Sequence, residues 1–236
     1  MLGPRQCGKT TLARSLGGVY FDLEQQEDRL RLDLEWDHLV TGPGLLILDE
    51  AQSCPELFPR LRGAIDRDRK RMGRFLLLGS VSPSLMVQVS ESLAGRLSLI
   101  EMTPFLWGEL DDPAARERLW PCGGYPDGGV LDGRRYPQWQ ADHLALLTRR
   151  DLPNQGWPAT PQATDRLLRM LAALHGQVWN AARLAQSLGL SAPTVNHYLD
   201  HLIGATRRFL VSKTASPAED GKRFSLDLAG FLAQFR

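Results

Sequence analysis

The chain has 236 residues, of which 43% are hydrophobic and 23% charged, and its formal net charge at pH 7 is +1. This length can bury one large core or two small ones, and a charge so near zero supplies no overall field to attract nucleic acid or an anionic membrane. Three cysteines, Cys7, Cys54 and Cys122, are too few and too scattered for a disulfide framework, which favours a reducing compartment. No apolar run approaches the roughly 18 residues that span a bilayer, and the first residues contain no signal-peptide core. We therefore expect a soluble, cytoplasmic protein without a membrane partner.

A phosphate-binding pattern stands near the start of the chain. It consists of Gly3, Pro4, Arg5, Gln6, Cys7, Gly8, Lys9 and Thr10, followed by Thr11. The spacing fits G-x-x-x-x-G-K-[ST], in which glycines let the backbone turn tightly and approach a ligand, and successive N–H groups cradle a phosphate at a helix N-terminus. The pattern predicts an ATP site in which Lys9 reaches the β- and γ-phosphates and the Thr10 hydroxyl completes a Mg²⁺ shell. The alternative is a glycine-rich turn before an ordinary helix.

The residues before this loop are few. A phosphate-binding loop follows a strand, and strands have about five residues, but only Met1 and Leu2 precede Gly3. An incomplete central strand leaves its neighbours with unpaired backbone groups, each costing about 1–3 kcal/mol if buried. The sequence therefore predicts a sheet that lacks most of its first strand, and it favours a chain whose true start lies further upstream.

The segments after the loop alternate between helix and strand patterns. They predict a helix over residues 10–16 ended by Gly17 and Gly18, a strand over 19–23, a charged helix over 26–38, and a strand over 45–48. The last of these is a continuous apolar run, which is typical of a parallel strand covered on both faces.

Two acidic residues, Asp49 and Glu50, follow that apolar strand. The carboxyl ends of parallel strands are where α/β sheets bind ligands. Asp49 is therefore predicted to hold Mg²⁺, through water, and Glu50 to orient and deprotonate an attacking water. An acidic pair after a strand is also a common loop or helix cap, but the phosphate loop upstream favours the catalytic interpretation.

The next stretch adds a second candidate strand. Residues 51–72 predict a helix whose basic end indicates a solvated helix terminus more than a nucleic-acid patch. Residues 75–78 predict a buried strand closed by Gly79 and Ser80. Ser80 is a candidate sensor of the γ-phosphate, and its alternative role is that of a plain turn residue.

A helix over 82–89 and a strand over 97–102 complete the predicted nucleotide-binding half. Arg96 lies in the loop before the last strand. It is a candidate for contacting a γ-phosphate in its own subunit or in a neighbouring one. The alternative is a surface salt bridge.

The second half of the chain predicts an irregular region followed by helices. Residues 110–133 are rich in Gly, Pro and Asp and indicate linker or irregular surface, whereas 139–150 indicate a helix and 151–161 a loop. A clean helical pattern begins at residue 165.

A helix-turn-helix pattern follows. Residues 180–188 predict a helix that Gly189 ends, and Ser191 is predicted to cap the next helix. That next helix has one buried face, formed by Val195, Tyr198, Leu199 and Leu202. Helix, glycine turn and helix of this size indicate a helix-turn-helix.

The polar face of the second helix in this pattern has no Lys or Arg. A DNA-reading helix usually depends on cations for its affinity to phosphates, and Arg207 and Arg208 in a following wing would add only a little. We therefore favour a helical domain packed on the ATPase over a DNA-binding one.

With these residues in view, the chain resembles bacterial and archaeal AAA-type P-loop ATPases that carry a C-terminal region of unknown function. The matching segments are GPRQCGKTTLA (3–13), LLILDEAQ (45–52), PELFPRLRGAIDRDR (55–69), FLLLGSVSPSL (75–85), ESLAGR (91–96), GGYP (123–126) and SLGLSAPTVNHYLDHL (187–202). They span nearly the whole chain in the order that the family has them. The resemblance implies an α/β nucleotide-binding domain, a winged-helix segment, and ATP with Mg²⁺ as ligands.

The resemblance also assigns roles to residues and reveals departures. Positions that bind and hydrolyse nucleotide correspond to Lys9, Thr10, Asp49 and Glu50, and sensing positions correspond to Ser80 and Arg96. The strand before Gly3 is missing, and Cys7 stands where the family often has an aliphatic or hydroxyl residue. The C-terminal region resembles a shortened version of a nuclease-like one, and the remnant near Lys222, Arg223 and Asp227 is too incomplete to predict nuclease chemistry.

The predicted architecture is an α/β, P-loop NTPase-like parallel sheet followed by a smaller, mainly helical, winged-helix-like domain. The predicted domains are an ATPase domain at 1–110, a linker or irregular region with one helix at 111–162, a helix-turn-helix domain at 163–210 and a shortened C-terminal remnant at 211–236.

The leading functional hypothesis is a Mg²⁺-dependent ATPase that acts as a molecular switch. One alternative is a nucleotide-gated helix-turn-helix regulator that binds DNA, and another is an inactive, truncated fragment. A homo-oligomer or a protein partner is compatible with all three.

Because Cys7 lies beside Lys9 and a helix N-terminus, we also expect a lowered thiol pKa, and expect modification of this thiol to block ATP binding.

Overall fold

The computed structural model describes residues 1–80, 91–154, 156–174, 179–206, 212–215 and 222–225, and for Ser80 and all residues from 203 onward it describes the backbone alone. Within these ranges the chain forms two compact units, Met1–Thr103 and Pro104–Arg236. Several sequence predictions lie outside the described part: the helix over 82–89, the Ser80 hydroxyl, Arg207, Arg208, Asp227 and the side chains of Lys222 and Arg223.

The first unit combines short parallel strands with helices. The strands are β1 (Leu2–Gly3), β2 (Val19–Asp22), β3 (Leu46–Asp49), β4 (Phe75–Leu77) and β5 (Gly79–Ser80). The helices are α1 (Lys9–Ser15), α2 (Gln26–Thr41) and α3 (Leu57–Arg67). The bounds of α1, α2 and the central strands confirm the predicted alternation of helix and strand, with shifts of a few residues at the ends.

A three-stranded parallel sheet in the order β2-β3-β4 forms the centre of this unit. In its register Phe21 pairs with Leu48, and Leu46 pairs with Phe75. All four residues of β3 are buried, as expected for a parallel strand that is covered on both faces. The α/β class predicted from the sequence is confirmed.

The short strand β1 lies between two backbone partners. It pairs in parallel with β5, and the Leu2 N–H and C=O bond to the backbone of Ile100 and Met102 at 2.8 and 2.7 Å. The predicted strand over 97–102 is therefore reduced to a single bridge at Glu101. The alternative of a plain turn at Ser80 is wrong, because Gly79 and Ser80 form the strand that pairs with β1.

The helix predicted over 51–72 is broken in the structure. A 3-10 turn at Ala51–Ser53 is followed by an extended Cys54 (φ −134°, ψ 75°), and α3 begins only at Leu57. Pro55 accounts for the break, since a residue that precedes proline is disfavoured in the helical region. At the other end, Arg69 pairs with Asp66, and the buried Arg74 donates to the carbonyls of Ala64, Asp68 and Arg71. The basic cluster thus includes a buried structural arginine as well as a solvated terminus.

The second unit is mainly helical. Its helices are α4 (Pro113–Cys122), α5 (Gln138–Leu146), α6 (Pro161–Ala173), α7 (Ala181–Leu188) and α8 (Ala192–Thr206). A π-helical turn at Leu147–Asp151 and a short helix at Leu152–Asn154 extend α5. Two strands, β6 (Ser212–Ala215) and β7 (Lys222–Ser225), pair in an antiparallel hairpin after α8.

The prediction of irregular structure over 110–133 is wrong for residues 113–122, and 111–162 contains more than the one helix predicted there. Residues 113–122 form α4, whose N-terminus is capped by Asp112 through bonds from the N–H groups of Ala114 and Ala115, with Pro113 at the first helical position. Aspartate followed by proline is a helix-start signal. This helix-start signal was overlooked because the surrounding residues are rich in Gly and Pro.

The helical pattern from residue 165 onward is confirmed. Val195, Leu199 and Leu202 are fully buried in a core with Leu167 and Leu184, while Tyr198 packs against this core half-buried. Gly189 ends α7 with a positive φ of 68°, and the Ser191 hydroxyl caps α8 by accepting from the Thr194 N–H at 3.2 Å. Across the described residues, no helix has the length and apolar character to span a membrane.

His143 on α5 lies in an aromatic stack. Its ring is 4.7 Å from Trp139 at an interplanar angle of 9°, and 4.9 Å from Tyr125. Burial lowers the pKa of His143 from 6.5 to about 4. The folded protein therefore holds a neutral imidazole at pH values where an unfolded chain protonates it.

We expect the free energy of unfolding to fall as the pH drops from about 6.5 towards 4, since the unfolded state then binds a proton that the folded state does not. Between pH 7.5 and pH 5 the loss is about 2 kcal/mol. Urea unfolding at the two pH values measures it. His143→Phe keeps a ring in the stack and should remove most of this pH dependence, while the exposed His197→Phe should retain it. A pH dependence that is the same in all three proteins contradicts the assignment.

Candidate functional site

The predicted phosphate loop connects β1 to α1 through residues with left-handed backbone. Gln6 has φ 64°, and Gly8, at the N-cap of α1, has φ 98° and ψ 11°. The Gly8 carbonyl accepts the first helical hydrogen bond, from Leu12 at 3.0 Å. Left-handed conformation at a residue other than glycine is uncommon and clusters at ligand-binding loops, and turns of this type form concave sets of N–H groups that bind anions.

Gly3 is required for a reason that the sequence did not reveal. A Cβ atom there would lie 2.4 Å from the carbonyl oxygen of Met102 and 3.0 Å from Cys7 Sγ. The close neighbour is thus the chain's own backbone at residue 102. Gly3 lets β1 pack tightly against that segment.

Lys9 folds back over its own loop. Its Nζ donates to the carbonyls of Gly3 at 3.1 Å and Pro4 at 2.8 Å, and the residue is only 7% exposed. An ammonium group has three protons, so one remains for a further acceptor. Both partners are neutral, and a buried positive charge with neutral partners is further stabilised by an anion.

Asp49 joins the loop helix to the sheet. Its Oδ2 accepts from the Thr10 hydroxyl at 2.6 Å, its Oδ1 accepts from the Glu50 N–H at 2.9 Å, and the residue is 4% exposed. The structure therefore brings together the two residues that the sequence proposed as metal ligands, although they are 39 positions apart.

These oxygens fit a Mg²⁺ ion. Mg²⁺ in phosphate sites is held by one or two carboxylates together with phosphate oxygens and water, so a larger acidic cluster is not needed. Among the described residues there is no group of three or more His, Cys, Asp or Glu side chains that could form an all-protein metal cage. Among the described residues, Thr10 and Asp49 are the pair that could hold such an ion.

Tyr20 is a contact that the sequence analysis missed. Its hydroxyl donates to the same Asp49 Oδ2 at 2.8 Å, and the guanidinium of Arg14 lies 4.1 Å from its ring centroid. Burial, followed by the hydrogen bond to Asp49, raises the pKa of Tyr20 to about 12. In the sequence, the only indication of this contact is that β2 contains a polar residue and lies next to the strand that ends in Asp49.

Glu50 occupies a strained position at the end of β3. Its backbone is left-handed (φ 50°, ψ 45°), which costs about 1 kcal/mol or more for such a residue. The amide of Gln52 donates to its carboxylate, and the Gln52 Oε1 atom is buried without a partner among the described residues. No local pattern in the sequence indicates a role for Gln52.

The two predicted sensing residues are Ser80, of which the structure describes the backbone, and Arg96, of which it describes the side chain as well. Ser80 pairs in register with Gly3, so its backbone lies beside the start of the loop. Arg96 forms two hydrogen bonds to the carboxylate of Asp66, at 2.9 and 3.0 Å. This is the surface salt bridge that the sequence analysis gave as the alternative.

The remaining loop residues lie on the outside. Arg5 is 3.9 Å from Glu24 Oε1, and Gln6 and Thr11 are exposed. Pro4 contributes its carbonyl to Lys9, as described above.

The expectation of a lowered pKa for the Cys7 thiol is wrong. The residue is 2% exposed, and its Sγ is 3.9 Å from the Met102 carbonyl oxygen. Burial raises the pKa of Cys7 above its ordinary value, and the opposing effect of the Lys9 ammonium is smaller. A thiol in this position is inert rather than activated.

Comparison with known families agrees with this geometry. Residues 1–110 match the family model described as an AAA domain, and residues 114–223 match that of a domain of unknown function, DUF8612. The N-terminal part of the chain is therefore an AAA domain, and the domain of unknown function follows it.

Two curated mycobacterial proteins are similar over most of the chain. The uncharacterized proteins Mb2031c of Mycobacterium bovis and Rv2008c of Mycobacterium tuberculosis are each 38% identical over 230 residues, which is 94% of this chain and 51% of the relative. The chain thus spans about half the length of these relatives. Among solved structures, the Aeropyrum pernix ORC1 protein in complex with DNA aligns with 99% of this chain and 85% of its own, at 14% identity and a TM-score of 0.37. Backbone agreement this low supports no conclusion about function.

Burial raises the pKa of all three cysteine thiols, in Cys54 to about 11. We expect the native protein at pH 8 to react with a thiol reagent at least about tenfold more slowly than the protein unfolded in guanidinium, because burial and a small thiolate fraction both slow the reaction. The unfolded chain should yield three labelled thiols. Absorbance with a disulfide reagent follows both reactions. A fast native thiol that disappears in Cys7→Ser would contradict the assignment.

Proposed function

We propose that this chain binds ATP with Mg²⁺, hydrolyses it, and acts as a nucleotide-dependent switch. The observation that carries the proposal is the Thr10–Asp49 hydrogen bond of 2.6 Å, which sets a loop hydroxyl against a buried carboxylate. The membership of residues 1–110 in the AAA family supports nucleotide binding. Hydrolysis, dependence on Mg²⁺ and switching are proposed in addition to nucleotide binding.

Binding is assigned to the loop. The backbone N–H groups of residues 5–11 and the Lys9 ammonium hold the β- and γ-phosphates, and Lys9 exchanges at least part of its contact with the carbonyls of Gly3 and Pro4 for phosphate oxygens. Thr10 and Asp49 hold the metal ion. When bound, Mg²⁺ neutralises charge on the β- and γ-phosphates.

Hydrolysis is assigned to Glu50. The carboxylate takes a proton from a water molecule, whose oxygen forms a bond to the γ-phosphorus while the bond from phosphorus to the bridging β–γ oxygen breaks, releasing ADP and phosphate. Gln52 holds the Glu50 carboxylate through its amide. Ser80 and Arg96 remain proposed sensors of the γ-phosphate, and Arg96 must leave Asp66 to take that part.

We expect Lys9→Ala to weaken ATP binding strongly, since it removes the buried cation of the loop. We expect Glu50→Gln to bind ATP like the wild type but to release phosphate about 10²–10⁴-fold more slowly, which is what loss of a general base produces. Fluorescent-nucleotide titration and a phosphate-release assay measure the two effects. The exposed Lys70→Ala and Glu117→Gln serve as matched controls and should resemble the wild type.

Thermal melting of each variant identifies any loss of folding. Equal turnover in the wild type, Lys9→Ala and Glu50→Gln would rule out the proposal. A wild type that neither binds ATP nor gains thermal stability from Mg·ATP would favour the inactive-fragment alternative.

The alternative of a DNA-binding regulator has weaker support. Helix α8 contains no Lys or Arg, and on its exposed face the Asn196 side chain already accepts a hydrogen bond from Trp179 at 2.9 Å. We therefore propose no DNA-reading role for α8. Duplex binding with a steep loss of affinity on added salt would reverse this choice.

A further inference from the structure

The hydroxyl of Tyr20 and that of Thr10 converge on one oxygen atom. Both donate to Asp49 Oδ2, at 2.8 and 2.6 Å, while Asp49 Oδ1 accepts from the Glu50 N–H. Three donors from three different residues therefore hold this buried carboxylate. Its plane cannot rotate without breaking at least one of these bonds.

The register of the sheet explains how Tyr20 reaches Asp49. Tyr20 on β2 pairs directly with Ile47 on β3, and Asp49 lies two residues further along β3. Since directly paired residues and alternate residues share a face of a sheet, Tyr20, Ile47 and Asp49 all lie on one face. The Tyr20 ring packs there beside Ile47 and Ala13.

Helix α1 covers the same face of the sheet and contacts both Asp49 and Tyr20. Thr10 and Arg14 are four residues apart and thus lie on one side of the helix. Thr10 donates to Asp49, and Arg14 places its guanidinium 4.1 Å from the Tyr20 ring centroid. The ring is therefore held by apolar packing and by a cation, so that the position of its hydroxyl is fixed before any ligand binds.

We propose that Tyr20 is a positioning residue for the metal site, acting through Asp49. A hydroxyl has one proton and two lone pairs. While the Thr10 proton is directed to a fixed Asp49 Oδ2, the Thr10 lone pairs remain oriented for a cation. Without Tyr20, Oδ2 retains one of its two hydroxyl donors, and the carboxylate and the Thr10 hydroxyl are both less constrained.

The inference rests on the proposed binding of ATP with Mg²⁺. It divides the nucleotide affinity into a part that depends on the metal and a part that does not. Tyr20 contributes to the part of nucleotide affinity that depends on the metal. It does not contribute to the part that the loop amides and Lys9 provide. A residue that only stabilised the fold would affect both parts equally.

The test is Tyr20→Phe, which keeps the ring, its packing and the contact with Arg14 but removes the hydroxyl. Dissociation constants for ATP are measured by displacement of a fluorescent nucleotide, once with excess Mg²⁺ and once with EDTA. We expect the value in Mg²⁺ to rise about fivefold, as loss of one net hydrogen bond produces, and the value in EDTA to stay within about twofold. Electron paramagnetic resonance of Mn²⁺ bound with ATP should show a matching loss of metal affinity.

Two further variants complete the experiment. Tyr198→Phe, on α8 beside Trp157, is the matched control and should change neither value. Arg14→Gln, at an exposed position on α1, removes the cation from the Tyr20 ring and should produce a smaller shift in Mg²⁺ alone. It also provides a readout if Tyr20→Phe proves unstable on thermal melting.

The outcomes separate this inference from the proposed function. If wild-type affinity is the same in Mg²⁺ and EDTA, the metal part of the proposed function fails and the inference fails with it. If the wild type depends on Mg²⁺ and Tyr20→Phe behaves identically, the inference alone is overturned. An equal loss in Mg²⁺ and in EDTA also overturns it, because the role of Tyr20 is then structural.

Discussion

The hydrogen bond between Thr10 and Asp49 connects the phosphate loop to the sheet. It joins the first turn of α1 to the last residue of β3, across 39 positions of sequence. Because Asp49 is buried, losing a donor here would leave carboxylate lone pairs unsatisfied in a place with little water, which costs more than the bond itself contributes. The bond therefore restrains both the loop and the carboxylate that also accepts from Tyr20 and from the Glu50 N–H.

Two buried charges near this bond have only neutral partners among their described contacts. Lys9 donates to backbone carbonyls, Asp49 accepts from hydroxyl and N–H groups, and no ion pair in the described part of the chain includes either residue. Buried charges are stabilised further by charged partners. A triphosphate with its metal ion carries one partner of each sign, with phosphate oxygens for the lysine and a divalent cation for the carboxylate. The same desolvation that makes the two residues costly in the free protein strengthens their interaction with such a ligand.

The sequence predicted the parts of the site that depend on local pattern. The loop spacing and the apolar strand before Asp49 are readable from short segments, and the two patterns taken together predicted that Asp49 and Thr10 share one site. Tyr20 was not, because its contact with Asp49 depends on how β2 aligns with β3, which no local pattern specifies. The Cys7 pKa was predicted in the wrong direction for a similar reason: Lys9 is visible in the sequence, whereas the burial that outweighs it depends on tertiary packing, which includes a contact with Met102. For α4, by contrast, the sequence contains a helix-start signal, the capping pair Asp112-Pro113. The prediction of irregular structure gave more weight to the surrounding glycines and prolines.

The phosphate loop is anchored at both ends by contacts that involve no ligand. At Gly3 the backbone is enclosed between β5 and Met102, so closely that a single methyl group would collide with the Met102 carbonyl. At Thr10 the hydroxyl is held by Asp49, and between these points Lys9 bonds back to the carbonyls of Gly3 and Pro4. A loop fixed in this way loses little conformational freedom on binding, and less of the binding free energy is then spent on ordering it. This follows even though β1 has only two residues, since its backbone groups are bonded to partners on both sides.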